Sequence, residues 1–354
     1  MMGVTNMETA LVKNHNAFTR QLASYRERVT RSIEEILPRR EPTKHLYDLV
    51  SRQLSNEGKC IRPAVCLATG GAFGASEESL LPSATAIELL HNAFLVHDDI
   101  EDGSEYRRGR PTLHQQVGVP LAINVGDSIN AMAVSMLRRN LPLLGPEVSA
   151  LLFDEFDHMT SETIEGQAME LGWIRDNDCS TTEDDYLLTV LKKTAWYSFI
   201  HPSRIGALIA QPDRADLDVF NRFGYFLGAA FQIQDDVLNL TGDRRTYGKE
   251  IGGDLLEGKR TLILTHLFSH TDPGERQRLQ AYLGKPRAQR LPRELAWLQS
   301  LIQARGSVEY ARAAARQFAG AAREEFAVAY EDATPGPDID FLRELLDYVV
   351  GRDA

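Results

Sequence analysis

Residues 81–102 read LPSATAIELLHNAFLVHDDIED. Apolar side chains recur at three- and four-residue steps, Pro82 stands near the start and Gly103 just past the end, which together spell a helix. The same period runs through VPLAINVGDSINAMAVSMLRRNL (119–141), FNRFGYFLGAAFQIQDDVLNL (220–240) and SVEYARAAARQFAGAAREEFAVAY (307–330). Several of these segments are apolar around most of their circumference, so they belong among other helices rather than at a surface. Strand-type alternation is nearly absent. Breaks bearing proline or glycine fall near 103–111, 202, 242–258, 272–292 and 334–337, and none has the make-up of a long flexible linker. The expectation is an all-α chain of roughly ten or more helices, forming one domain over residues 1–354.

Composition narrows the classes of function. Hydrophobic residues make up 43% of the chain and charged residues 25%, the usage of an ordinary globular protein. A formal charge of −11 is the wrong sign for a general nucleic-acid binder. Cys60, Cys66 and Cys179 form neither a CxxC pair nor an even framework, which points to a reducing cytoplasm. The first residues lack the build of a signal peptide, and no apolar run approaches the roughly 18 residues of a membrane span, so integral membrane association is not expected.

The chemistry is concentrated in two acid-rich helices. His91, Asp98 and Asp102 are spaced by seven and four residues and share one face. Two carboxylates one turn apart suit a hard cation such as Mg²⁺. Asp99 and Glu101 point elsewhere and read as solvated. A calcium loop starting at Asp98 fails, because its third and twelfth positions are Ile100 and Gly109. By itself the cluster is equally a solvated helix face. In FQIQDDVLN (231–239), however, Gln232, Asp235, Asp236 and Asn239 repeat the stripe on a strongly apolar helix. Carboxylates buried there need a cation. Lys59 and Arg62 of EGKCIRP, Arg107 and Arg108, Lys192, Lys193 and Thr194 of KKT, and Lys249 and Lys259 of GKEIGGDLLEGKRT complete the set. Acids for Mg²⁺ beside Arg and Lys for phosphate oxygens is the chemistry of a polyphosphate ligand.

The motifs DDIED, RRGRPTLH, GQAMEL, KKT, FQIQDD and GKEIGGDLLEGKRT occur in that order, and over about residues 50–265 the chain resembles the trans-isoprenyl diphosphate synthases, or polyprenyl synthetases. The resemblance implies an isoprenoid-synthase fold, usually a homodimer, with the two acid motifs facing across a deep apolar cavity. It implies Mg²⁺ as the cofactor, roughly three ions per site, each taking carboxylates plus phosphate oxygens. By position, Asp98, Asp102, Glu170, Asp235 and Asn239 match metal ligands. Arg107, Lys193, Thr194, Gln232, Lys249 and Lys259 match the surroundings of the allylic diphosphate, and Lys59, Arg62, His91 and Arg108 those of isopentenyl diphosphate. Three positions depart from the family pattern. Glu57 stands for a glycine, Cys60 for an arginine, and Asn239 for the last aspartate of the second motif.

The implied reaction is head-to-tail prenyl transfer, in which an allylic diphosphate ionises and isopentenyl diphosphate attacks the cation. Phe94, one turn before Asp98, with small Ala93 beside it, reads as a partly open floor for the growing chain, favouring geranylgeranyl diphosphate (C20). The alternatives are a C15 or longer-chain synthase, a class I terpene cyclase, and a non-catalytic synthase subunit. A cyclase has no second diphosphate to hold, and silent subunits commonly lose an acid motif that this chain keeps.

Overall fold

Ser76 starts the central helix, its hydroxyl accepting from the Ser79 amide, with Glu77 and Glu78 favourably placed in the first turn. The helix runs Glu77–Glu101, so Pro82 lies inside it rather than at its start. The computed structural model describes residues 2–56, 58–213, 216–242 and 251–351; Glu57 and Lys249 fall outside them. In chain order the helices are α1 (Met2–Ile36), α2 (Asp48–Leu54), α3 (Ile61–Ala72), α4 (Glu77–Glu101), α5 (Leu113–Val117) and α6 (Val119–Leu137). They continue with α7 (Leu141–Arg175, kinked at Gly145), α8 (Glu183–Val190), α9 (His201–Ala210) and α10 (Val219–Thr241). The last are α11 (Gly253–Glu257), α12 (Leu262–Ser269), α13 (Pro273–Leu283), α14 (Pro292–Ala304), α15 (Ser307–Ala329) and α16 (Pro337–Gly351).

α4 and α10 are the two helices around which the rest assemble. α4 lies against α1, α3 and α6, and α10 against α15 and the segment between α8 and α9. α10 feeds both apolar cores, giving Phe220, Phe223 and Leu227 to the larger and Ala229, Ile233 and Val237 to the smaller. By length and composition α4 is apolar enough to cross a membrane, contrary to the sequence expectation, yet most of that apolar window is buried within the fold.

Two local features position the site, and hydrophobic periodicity signals neither. The first is the hairpin of β1 (Tyr106–Arg107) and β2 (Arg110–Pro111), in which Arg107 pairs with Arg110. Its central residues, Arg108 and Gly109, have φ of +53° and +74°, the pattern of a tight two-residue turn. The second is a π-helical stretch, Leu191–Ile200, between α8 and α9. A widened turn inside a helix re-aims neighbouring side chains and is often a functional feature.

The π stretch is clasped by glycines on both sides. A Cβ on Gly166 of α7 would lie 2.4 Å from the Lys193 backbone nitrogen, and one on Gly228 of α10 would lie 2.6 Å from the Ala195 Cβ. Backbone cannot yield as a flexible side chain does, so the Gly166 contact sets how closely α7 approaches Lys193. Gly166→Ala is therefore expected to cost about 1–3 kcal/mol of stability. Gly172→Ala on the same helix, where nothing lies within 4 Å, is expected to gain about 1 kcal/mol from helix propensity. Denaturant unfolding of the two variants checks this, and equal behaviour would contradict the close-contact account.

Candidate active site

Between α4, α6, α7, α10 and the π stretch lies a cavity of about 990 Å³. Its lining includes twelve of the residues singled out from the sequence: Lys59, Arg62, His91, Phe94, Asp98, Arg107, Arg108, Lys193, Thr194, Gln232, Asp235 and Lys259. Leu95, Ile164, Leu171, Tyr197, Phe231 and Leu238 supply apolar and aromatic wall.

At the C-terminal end of α4, acids and cations form one network. Arg107 donates from Nε to Asp99 at 2.6 Å and from Nη2 to Asp98 at 2.9 Å. Lys193 Nζ donates to Glu170 at 2.9 Å and lies 3.5 Å from Asp98. Lys259 Nζ donates to Asp102 at 2.7 Å, pairs with Glu257 at 2.9 Å and lies 4.0 Å from Glu170. Arg287 backs Glu257 at 3.2 Å. Burial alone would lower Lys259, but Asp102 and then Glu257 hold it well above the ordinary lysine range. Asp99 is not the solvated acid expected: it is buried, and Arg107 is its counter-ion. Glu101 is exposed, as expected, and stands at the cavity, where Gln167 donates to it at 2.6 Å.

These acids suit a hard cation. Asp102 Oδ1 is buried without a hydrogen-bond partner, and Asp98 stands one turn away. Burial first, and the charge of Asp98 second, push the Asp102 carboxyl up to about 7. A divalent ion would satisfy the orphaned oxygen and relieve that repulsion. Among the described residues no three acid or imidazole groups already converge on one point, because Lys193, Lys259 and Arg107 stand among the carboxylates.

Across the cavity, α10 splits its polar stripe. Gln232 and Asp235 line the cavity, and Gln232 accepts from Thr194 at 2.9 Å while donating to Asp236 at 2.8 Å. Asp236 and Asn239 turn into the protein. Asp236 accepts from the Tyr186 hydroxyl at 2.8 Å, and burial, then Asp254, push its carboxyl well up. Asn239 is buried, outside the cavity lining, and its Oδ1 accepts from the Asp254 amide at 3.2 Å, tying α10 to α11.

A second basic wall lies on the far side of His91. Arg108 leaves the hairpin opposite to Arg107, donates to the Asn56 carbonyl at 2.8 Å and covers Gly58, where a Cβ would come within 2.8 Å of its guanidinium. Arg62 Nη1 meets His91 Nε2 at 3.3 Å, and Nη2 donates to the Tyr197 hydroxyl at 2.6 Å. Burial, then the neighbouring arginines, push His91 well down, so the ring is neutral and its Nε2 accepts from Arg62. The buried Glu88 faces the same wall, its carboxyl pushed up by burial.

Ala93 is buried in the apolar core and does not line the cavity; the neighbour of Phe94 that does is Leu95. Tyr197, Glu88, Gln167 and Glu257 were not singled out from the sequence. Tyr197 is within four residues of Lys193 and hidden by its place in an apolar run, and only the π stretch brings it to the cavity.

Residues 43–296 match the polyprenyl synthetase family. A geranylgeranyl pyrophosphate synthase of Geoglobus acetivorans is 35% identical over 327 residues, covering 92% of this chain and 96% of its own. Geranylgeranyl pyrophosphate synthetase from Pyrococcus horikoshii superposes with a TM-score of 0.83 at 30% identity, over 96% of this chain and 99% of that one. Geranylgeranyl pyrophosphate synthase from Corynebacterium glutamicum, solved with isoprenyl diphosphate and magnesium, gives 0.78 at 27% identity, over 96% and 98%. The helical architecture agrees with these matches, and the chain belongs to the polyprenyl synthetase family as a prenyltransferase on the isoprenoid-synthase fold.

Proposed function

We propose that the chain condenses isopentenyl diphosphate with an allylic diphosphate, head to tail and all-trans, to geranylgeranyl diphosphate, with Mg²⁺ as cofactor. The observation that carries this reading is that two groups of cations line one cavity, Arg107, Lys193 and Lys259 among the carboxylates and Lys59, Arg62 and Arg108 around His91. Two anion sites suit two diphosphate substrates, where a cyclase needs one. The magnesium in the Corynebacterium structure and the product named for several relatives support the same reading.

In this reading Asp98, Asp102 and Glu170 on one side and Asp235 on the other hold the metal ions, three to a site as in the family expectation. Bound there, Mg²⁺ supplies Lewis-acid stabilisation of charge on the leaving diphosphate. Arg107, Lys193 and Lys259 donate to the allylic diphosphate, with Lys249 a further donor outside the described residues. Thr194 and Gln232, joined by their hydrogen bond, face the same substrate. Lys59, Arg62, Arg108 and His91 hold isopentenyl diphosphate. As the allylic C–O bond breaks, its electron pair leaves with the diphosphate. The isopentenyl double bond then attacks that carbon to form the new C–C bond, leaving a cation at its C3; the released diphosphate takes a proton from C2, and the C–H electron pair becomes the new double bond. The apolar wall keeps water from the cation. Asn239, uncharged and with one lone pair of its Oδ1 already used by the Asp254 amide, is the weakest ligand of the set.

The protein is read as a homodimer of the cytoplasm. Val119, Ile123 and Val134 on α6 and Leu141, Leu143, Leu151 and Ile164 on α7 are exposed large apolar side chains, the raw material of a self-complementary face. Cys60, Cys66 and Cys179 are all free thiols, as a reducing compartment requires.

Two measurements test the reading. Asp98→Ala and Asp235→Ala should each lower kcat by orders of magnitude while circular dichroism stays native, because an interaction made in the transition state is lost. Near-normal turnover of both at saturating Mg²⁺ would remove the metal assignment. Phe94→Ala should lengthen the products if the ring is the floor. A loss of about 3–5 kcal/mol of stability with product length unchanged would make Phe94 core only.

A further inference from the structure

Arg62 is held in an unusual way for a half-buried cation. The buried Glu88 acts on it through space, no salt bridge to it is found among the described residues, and its Nε is buried without a partner. Its anchors are His91, at 3.3 Å from Nη1, and Tyr197, which serves twice. The Tyr197 hydroxyl accepts from Nη2 at 2.6 Å, and the guanidinium carbon stands 4.1 Å from the ring centroid, a cation–π contact. The same hydroxyl is 3.5 Å from His91 Nδ1, the nitrogen that carries the proton when Nε2 accepts from Arg62. A carboxylate in this place would fix Arg62 but cancel its charge and compete with an incoming anion. A phenol and a ring face fix the fork and leave the charge available.

The same ring also packs against Phe94 in the cavity wall. Phe94 and Tyr197 stand edge to face, centroids 6.0 Å apart at 83°. Such a pair has a preferred geometry, so the position of one ring constrains the other. Tyr197 sits in the π stretch, four residues after Lys193 and three after Thr194.

We infer that Tyr197 is a positioning and selectivity residue: its hydroxyl and face seat Arg62 for the diphosphate of isopentenyl diphosphate, and its ring holds Phe94 against the growing chain. This rests on the reading of Arg62 and Phe94 given above. One side chain thereby ties affinity for the second substrate to product length, two properties that would otherwise vary independently.

Tyr197→Phe and Tyr197→Leu separate the two halves, with Arg62→Gln run alongside; KM for each substrate, kcat and product length are measured. Tyr197→Phe keeps the ring and the fold. It should raise KM for isopentenyl diphosphate about tenfold, the scale of one hydrogen bond to a charged group, with allylic KM and product length unchanged. Tyr197→Leu should raise the same KM and also shift products to longer chains. An unchanged KM in Tyr197→Phe, while Arg62→Gln raises it, would overturn the seating of Arg62 by Tyr197 and leave the diphosphate assignment standing. Unchanged product length in a folded Tyr197→Leu would overturn the link to Phe94. An Arg62→Gln variant with normal KM would instead sink the assignment of Arg62, and this inference with it.

Discussion

The constraint on which the structure turns is that carboxylates and cations must be buried together beside an apolar cavity. Asp98, Asp99, Asp102, Glu170 and Glu257 are interleaved with Arg107, Lys193, Lys259 and Arg287, drawn from α4, the hairpin, α7, the π stretch and the segments around α11 and α13. Buried charge costs several kcal/mol per ion unless geometry and hydrogen bonding are close to complete. So many elements meet here that their backbones must be fixed to within a fraction of an ångström. The glycine contacts at Gly166 and Gly228, the tight turn of the hairpin and the amide that Asn239 accepts from Asp254 all serve that fixing.

The division of labour between adjacent arginines follows from the same local geometry. Arg107 ends the strand and Arg108 opens the turn, where its positive φ swings the backbone round at once. Arg107 therefore reaches the acids of α4, while Arg108 reaches Asn56 and covers Gly58. In the proposed reading one hairpin serves two anion sites. Neither rival reading accounts for this. A cyclase has no use for the Arg62, His91 and Arg108 wall, and a silent subunit has no need to keep both acid helices.

Much of this was legible in the sequence, and what was not has physical causes. Helical periodicity carried the fold, since buried helices must be apolar at the helical repeat whatever their function. The two acid stripes were legible because charge in an apolar helix demands a partner. Side-chain direction near helix ends and in irregular turns was not. Asp99 reads as solvated on a helical wheel, but the hairpin folds back and brings Arg107 onto it. Asn239 shares the stripe of Asp235, yet α11 captures its oxygen from outside the helix. Ala93 and Leu95 flank Phe94 equally in sequence, and only the placing of α4 against its neighbours decides which faces the cavity. Tyr197 was invisible because a regular helix and a π stretch are written with the same residues.

The central claim is that the charged network and the second basic wall serve two diphosphates in one prenyl transfer. The most direct measurement incubates the purified protein with Mg²⁺, isopentenyl diphosphate and labelled allylic diphosphates, then separates the dephosphorylated products by chromatography. The account predicts Mg²⁺-dependent incorporation of isopentenyl units into linear all-trans alcohols, with the C20 alcohol dominant. Cyclic hydrocarbons formed from the allylic substrate alone, or no elongation with any allylic substrate, would contradict it.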